Sequence, residues 1–497
     1  MMDFKNKSVT VMGLGLYEKG TGIEAVKFFL RQGAIVTVTD VRSAKDLAES
    51  VEEVVRYYNK LPKLRNPSQP PLTLRGGEKR KLTFILGKHR EEDFKNADVV
   101  FQNPSVPAES PYLRITAKHG VPIVNDWSLF LSRHTPKLFI GVTGTRGKST
   151  TTALIYEMLK FEHSPIPRNR RMASKVWLAG NLGVSPLAFI DEYRGEPIVA
   201  ELSSWLLHHF PAVKKSPTIA VVTNIMDDHM DKYKSVKEYI ADKEHILRFQ
   251  KKSDVAVLNY DNDVTLKMGK RVSGRVVWFS VKKHVPRWVP LEKILLQGEH
   301  NRANALAAAC AAEAAGVSRV HIMDVLKTFK GLPNRLQLVR TVRGIQYYND
   351  TTATTPDATI AALKVLGVRG QVSGAQNLKP KTWNLKPRIV LIAGGADKKL
   401  EYRELAKYVK QYCKAVVLLP GTATAKLKKE VSTAMAGQAG VRCQVSEAHT
   451  MRAAVKKAHL LAQEGDVVLL SPGAASFGLF KNEFDRGDQF VDAVKKV

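Results

Sequence analysis

Short apolar runs alternate with amphipathic stretches along nearly the whole chain. Residues 7–12 (KSVTVM) form one such run, of the kind a strand buried on both faces requires. After GLGLYEKGTG comes IEAVKFFLRQG, in which apolar residues recur at helical spacing. A second run, AIVTVTD, ends at Asp40. The same beat returns in KLFIGVTG, PIVAEL and TIAVVTN, and again in IQYYND, RIVLIAGG, AVVLLPG and DVVLLSPG. Strands that alternate with helical stretches predict an α/β protein built on mainly parallel sheets.

Three groups of strands in 497 residues predict three domains. Residues 1–135 read as a Rossmann-like unit, 136–335 as a P-loop ATPase-like unit, and 336–497 as a second Rossmann-like unit. SRHTPK (132–137) reads as a linker, and the segment through GLPNR ends the middle unit. No repeat of solenoid period is present. The stretches 60–81, 165–175 and 371–387 read as loop insertions.

Charge changes the picture only slightly. Lys and Arg number 77 against 47 Asp and Glu, a formal charge of +30 that suits anionic partners. Much of the excess lies in insertions such as 60–81 and 165–175, and these two lack the interleaved aromatics of a single-strand stacking surface. No specific nucleic-acid partner is expected, only weak nonspecific adhesion. The three cysteines, Cys310, Cys413 and Cys443, contain no C-x-x-C pair and fit a reducing compartment. No signal-peptide core and no bilayer-length apolar run are present, so the expected location is the cytoplasm. A monomer is the expected state.

Candidate chemistry begins at GTRGKST, Gly144 to Thr150, between an apolar strand and the helical TALIYEMLKF. Backbone N–H groups of such a loop cradle phosphates, Lys148 can reach the β- and γ-phosphates, and a hydroxyl can ligate Mg²⁺. The loop is a short variant, because Val142 stands where the longer motif carries glycine. ATP binding is the expectation. Glu201, near the end of PIVAEL, can hold Mg²⁺ or its waters, or simply cap a helix or face solvent. Asp227, Asp228, His229 and Asp231 follow the next strand and read either as ligands for a second divalent ion or as an acidic helix cap.

Other positions say less on their own. Lys243 sits on a charged helix, where a lysine is ordinarily solvated. Asn304, before an Ala-rich run, suits an adenine edge or a helix cap. Arg335 and Asp350 flank the second boundary, where a basic and an acidic group can clamp a nucleotide. In GLGLYEKGTG, Glu18 occupies the third glycine place of the dinucleotide motif. That leaves a tight turn, or a phosphate site near the helix start; a redox dinucleotide is not indicated.

The order GTRGKST, AELSSW, TNIMDDHMD, GEHNRANALAA, GLPNR, YYND and LLSPGAASFGLFKNEFDRG resembles the Mur ligases throughout, and most nearly the branch that adds D-glutamate. The resemblance implies ATP-driven activation of the carboxylate of UDP-N-acetylmuramoyl-L-alanine as an acyl phosphate, followed by attack of the D-glutamate amine. It implies a UDP-substrate domain, an ATP domain and an amino-acid domain, in that order. Lys148, Glu201, His229 and Lys243 take catalytic roles. Ser149, Glu201, His229 and a carbamylated Lys243 serve two magnesium sites.

Gly144, Thr145, Arg146, Gly147, Lys148, Ser149, Thr150, Asn304, Arg335 and Asp350 contact ATP. Leu16, Asp40, Arg42 and Asn181 bind the sugar nucleotide, while Thr354, Lys398 and Ser476 bind the amino acid. Three positions depart from the family pattern. Thr352 stands where a lysine belongs, Ala474 replaces a cysteine, and Glu483 precedes Phe484 where an aromatic follows Asn482 directly. The competing readings are a Mur-type ligase for another amino acid or L-glutamate, and a P-loop ATPase acting on nucleic acid.

Overall fold

The computed structural model describes residues 3–16, 20–61, 81–107, 109–160, 175–226, 233, 235–296, 298–369, 389–398, 400–435 and 443–497. Almost all of the three insertions, and the whole of Asp227 to Asp231 with His229, lie outside those residues.

The apolar runs become three sheets. The first holds β1 (Ser8–Met12), β2 (Ile35–Asp40), β3 (Leu82–Leu86), β4 (Val99–Gln102) and β5 (Ile123–Val124). Its order is β3-β2-β1-β4-β5, with every pair parallel. This is the open, doubly wound arrangement, in which ligands sit beyond the strand C-termini where the order reverses. Here that point is the end of β1, beside β4.

The second sheet holds β6 (Phe139–Thr143), β7 (Trp177–Gly180), β8 (Ile198–Glu201), β9 (Ile219–Val222), β10 (Val255–Asn259) and β11 (Arg275–Phe279). Its order is β11-β10-β9-β6-β8-β7, again wholly parallel. β6 lies between β8 and β9, so the ends of these three strands stand side by side. Strands β6, β8 and β9 are buried along their whole length, which explains their unbroken apolar sequence.

These two sheets belong to one compact unit, residues 1–295 and 299–329. A single apolar core runs through both. Trp127, on the helix Asp126–Arg133, stacks on Phe139 of β6 at 5.1 Å. The expected linker 132–137 is part of this joint. Its first two residues are helical, His134 Nε2 lies 2.8 Å from Ile190 O, and Lys215 Nζ donates to the carbonyls of Leu131 and His134. Ser132, Arg133, His134 and Thr135 are each held by a side-chain hydrogen bond.

The other unit spans 296–298 and 330–497. Its sheet runs β12-β13-β17-β14-β15-β16, with β12 (Gln337–Val342), β13 (Ile345–Asn349), β14 (Ile389–Gly394), β15 (Cys413–Leu419), β16 (Gln444–Glu447) and β17 (Val467–Leu470). Only β12 is antiparallel, paired with β13 as a hairpin. The three cysteines are all buried and free. Among the described residues no helix is long and apolar enough to cross a membrane.

Candidate active site

The loop after β6 runs into the helix Lys148–Leu159 with no side chain capping its first N–H groups. Those donors carry the positive end of the helix dipole and point to where an anion can sit. Two glycines make the loop possible. Gly144 has φ +147° and a Cβ there would collide with Thr223 Oγ1; Gly147 has φ +83° and a Cβ would collide with Asn304 Oδ1.

The end of β9 braces this loop. Thr145 N donates to Asn224 O at 2.8 Å, Arg146 N to Asn224 Oδ1 at 2.9 Å, and Thr223 Oγ1 to Arg146 O at 2.6 Å. Lys148 Nζ folds back to the carbonyls of Gly144 and Thr145, each at 3.0 Å. Ser149 is buried in the first helical turn and Thr150 follows it half-buried.

Glu201 ends β8 beside Val142 of β6. It is 5% exposed, and its Oε2 is buried with no hydrogen-bond partner among the described residues. A buried carboxylate oxygen without a partner is costly, and a divalent cation is the kind of partner that offsets the cost. Asn181, just past β7, donates its backbone N–H to Glu201 O at 3.1 Å, so the two lie together.

Lys243 is the largest change from the reading of residues alone. It is 2% exposed rather than solvated. Its Nζ donates to Gly144 O at 2.9 Å and lies 4.6 Å from the centre of the Tyr239 ring. Tyr239 in turn places its hydroxyl 3.1 Å from Thr145 Oγ1. Asn304 also moves. The helix Glu299–Ala314 starts five residues before it, so it caps nothing and instead presses on Gly147.

At the end of β1, Leu14 N donates to Asp40 Oδ2 at 2.9 Å, and Asn103 Nδ2 to Gly13 O at 3.0 Å. Arg42 closes on the same carboxylate, with Nη2 2.8 Å from Oδ2 and Nε 3.0 Å from Oδ1. Burial alone would raise the Asp40 carboxyl, but the bonds from Arg42 and Leu14 outweigh it and hold it below the usual carboxylate range. Leu16 stands exposed above this turn. Asp40 therefore shapes the loop that Leu16 and Arg42 flank.

Within the second unit, Asp350 Oδ1 accepts Leu336 N at 3.0 Å and Oδ2 accepts the Ser471 hydroxyl at 2.9 Å. Arg335, exposed, is the residue before Leu336. Lys398 Nζ donates to Thr354 Oγ1 at 3.0 Å. Ala396 and Ala475 exchange backbone hydrogen bonds, which brings the loop bearing buried Ser476 alongside. Thr352 Oγ1 donates to Asn334 O at 3.0 Å.

Family models match along most of this architecture: the Mur ligase middle domain over residues 142–312 and the Mur ligase glutamate ligase domain over residues 334–473. The chain belongs to the Mur ligase family. Among full-length relatives of this Mur ligase, the UDP-N-acetylmuramoylalanine–D-glutamate ligase of Roseiflexus sp. is 35% identical, with 98% of each chain covered. The protein of the same name from Acetivibrio thermocellus is 32% identical over 99% of this chain and 97% of its own. Solved structures share the fold. The UDP-N-acetylmuramate–alanine ligase of Thermotoga maritima superposes with a TM-score of 0.58 at 18% identity, over 99% of this chain and 100% of its own.

Reading residues alone missed two groups in this Mur ligase. Arg486, in FDRG, is completely buried. Its Nε and Nη2 donate to Thr351 Oγ1 and O at 3.0 and 2.8 Å, and its Nη1 to Ala474 O at 3.1 Å. It thereby ties the Asp350 loop to the Ser476 loop, and burial lowers it to about 10. The only signal was an arginine beside a glycine, Gly487, whose missing side chain admits Asn334. The other missed group is Asp242, one residue before Lys243 on the helix Val236–Arg248.

Burial also raises the Asp350 carboxyl, from its ordinary 3.8 to about 7, against the opposing bonds from Ser471 and Leu336 and the charge of Arg335. A carboxyl that holds its proton more tightly folded than unfolded lowers stability as pH rises between those two values, with the full loss above the upper one. Asp350→Asn removes that loss. The melting temperature of the variant relative to the parent is therefore expected to climb between pH 4 and pH 8. A difference that stays flat would refute the burial effect.

Proposed function

We propose that the chain joins D-glutamate to UDP-N-acetylmuramoyl-L-alanine at the expense of ATP, in the assembly of peptidoglycan precursors in the cytoplasm. The observation that carries this reading is the uncapped phosphate loop with Lys148 and the buried Glu201 oxygen that has no hydrogen-bond partner among the described residues, in a chain whose full-length relatives bear that ligase name. A structural neighbour, the MurF ligase of Thermotoga maritima, was solved in complex with ADP; it superposes with a TM-score of 0.51 at 16% identity, covering 80% of this chain and 88% of its own.

A carboxylate is a poor acyl donor because its leaving group would be oxide. Attack of a substrate carboxylate oxygen on the γ-phosphorus makes an acyl phosphate and releases ADP. The glutamate amine then adds to the acyl carbon, loses a proton, and the tetrahedral adduct expels inorganic phosphate. Lys148 and the N–H groups of Gly147 to Thr150 hold the phosphates and offset charge that develops on them. Asn304 backs the loop at Gly147. Leu16, Asp40, Arg42 and Asn181 take the sugar nucleotide, Arg335 and Asp350 contact ATP, and Thr354, Lys398 and Ser476 take glutamate, with Lys398 meeting a carboxylate.

The donor set fits magnesium: Ser149 and Glu201 are hard oxygen groups, and Lys243 would join them, with His229, as a carbamate. Magnesium bound there supplies charge neutralisation for phosphoryl transfer. Lys243 gains its negative charge when its amine nitrogen bonds to the carbon of CO₂ and a proton leaves.

Thr352 supports a second reading, a different amino acid or L-glutamate, since it puts a hydroxyl where the family pattern has a cation. Phosphate release from ATP and Mg²⁺ separates the readings. Release that needs both UDP-N-acetylmuramoyl-L-alanine and D-glutamate is expected. A preference for L-glutamate would select the second reading, and release driven by DNA or RNA alone would overturn both.

A further inference from the structure

Asp242 has no role in the reaction as described, yet it occupies a junction. It stands one residue before Lys243 on the helix Val236–Arg248, with a side chain 14% exposed. Oδ1 lies 2.9 Å from His208 Nδ1, and Oδ2 accepts the Tyr233 hydroxyl at 2.9 Å. His245 Nδ1 stands 3.9 Å from Oδ1.

These partners come from different segments. His208 is the C-cap of the short helix Ser204–Leu207, which begins three residues after Glu201. Tyr233 precedes the Lys243 helix and packs edge-on against Tyr239 at 5.3 Å. Tyr239 carries the contact onward to Thr145 of the phosphate loop and underlies the Lys243 ammonium. One carboxylate thus fastens the helix that bears Lys243 to the segment that leaves Glu201. A solvated acid on a helix face would need neither histidine nor tyrosine. Two charge-assisted or hydroxyl bonds on one nearly buried group cost side-chain freedom, and they return geometric definition.

We infer that Asp242 is a positioning residue for the ligase reaction, fixing Lys243 relative to Glu201 so that both can serve the same divalent-cation chemistry. The inference rests on the ligase reading above. Groups that orient a metal's ligands typically change metal affinity or activity about 10–100-fold when removed.

The test uses the full-length protein and its Asp242→Asn, Asp242→Glu and Tyr233→Phe variants. Mn²⁺ binding is followed by electron paramagnetic resonance, and steady-state phosphate release is measured in parallel. Asp242→Asn is expected to weaken Mn²⁺ binding and lower kcat by about 10–100-fold. The KM for the sugar nucleotide should stay within about twofold, and Asp242→Glu should recover part of the loss.

Tyr233→Phe removes only a hydroxyl and should shift Mn²⁺ binding in the same direction. It decides the matter if Asp242→Asn does not fold. Mn²⁺ binding at the parent strength in the folded variants would overturn the inference, as would losses that only follow the melting temperature. Failure of the ligase reading would appear instead in the parent protein, as absent phosphate release, while the Mn²⁺ titration still scores Asp242.

Discussion

Lys148→Ala is expected to reduce substrate-dependent phosphate release about a thousandfold, near the upper range for losing one donor that stabilises developing charge. The lysine is preplaced: its Nζ already rests on the carbonyls of Gly144 and Thr145, at the mouth of an uncapped helix. The backbone N–H cradle and its bracing by Thr223 and Asn224 do not involve the side chain. The variant should therefore melt within a few degrees of the parent, with most of the loss in kcat. Activity above roughly a tenth of the parent would show that this lysine does not stabilise the transition state.

The second large effect concerns Lys243. Lys243→Ala is expected to lower turnover at least about a hundredfold, as loss of a group supporting a metal site does. Formate or acetate at high concentration should restore part of it. The structure supplies the reason for expecting rescue: the side chain is buried against Gly144 O and the Tyr239 ring. Truncation there leaves a space able to admit a small carboxylate. Parent-like activity without added acid would refute the carbamate role. In the parent, a ¹³C carbamate resonance after exposure to labelled bicarbonate, lost in the variant, gives a readout independent of turnover.

Both predictions combine what is legible in residues with what is not. The phosphate loop could be read directly, because Gly144, Gly147, Lys148 and Ser149 are adjacent and lie between an apolar strand and a helix. Lys243 could not, since it stands on a charged helix whose polar neighbours suggest solvent. Only the resemblance to a family singled it out. Its burial arises because the helix Val236–Arg248 packs on the Ser204–Leu207 segment and faces the phosphate loop from 99 residues away in sequence. Asp242 was hidden for the same reason, its partners being distant in sequence or ordinary in type.

The sequence by itself determined the class of the fold and the nature of the nucleotide site. Parallel strands buried on both faces must be continuously apolar, and a phosphate loop needs glycines, lysine and hydroxyl within seven residues. Both are local demands, so both leave local traces. The tertiary structure alone decided that the first two sheets share one core, that Asn304 backs Gly147 instead of capping a helix, and that Glu201 is buried at the end of its strand. It also decided that Arg486 joins two loops by its buried guanidinium. Burial and hydrogen bonding between segments far apart in the chain depend on how strands are ordered in a sheet, and no short stretch of residues records that order.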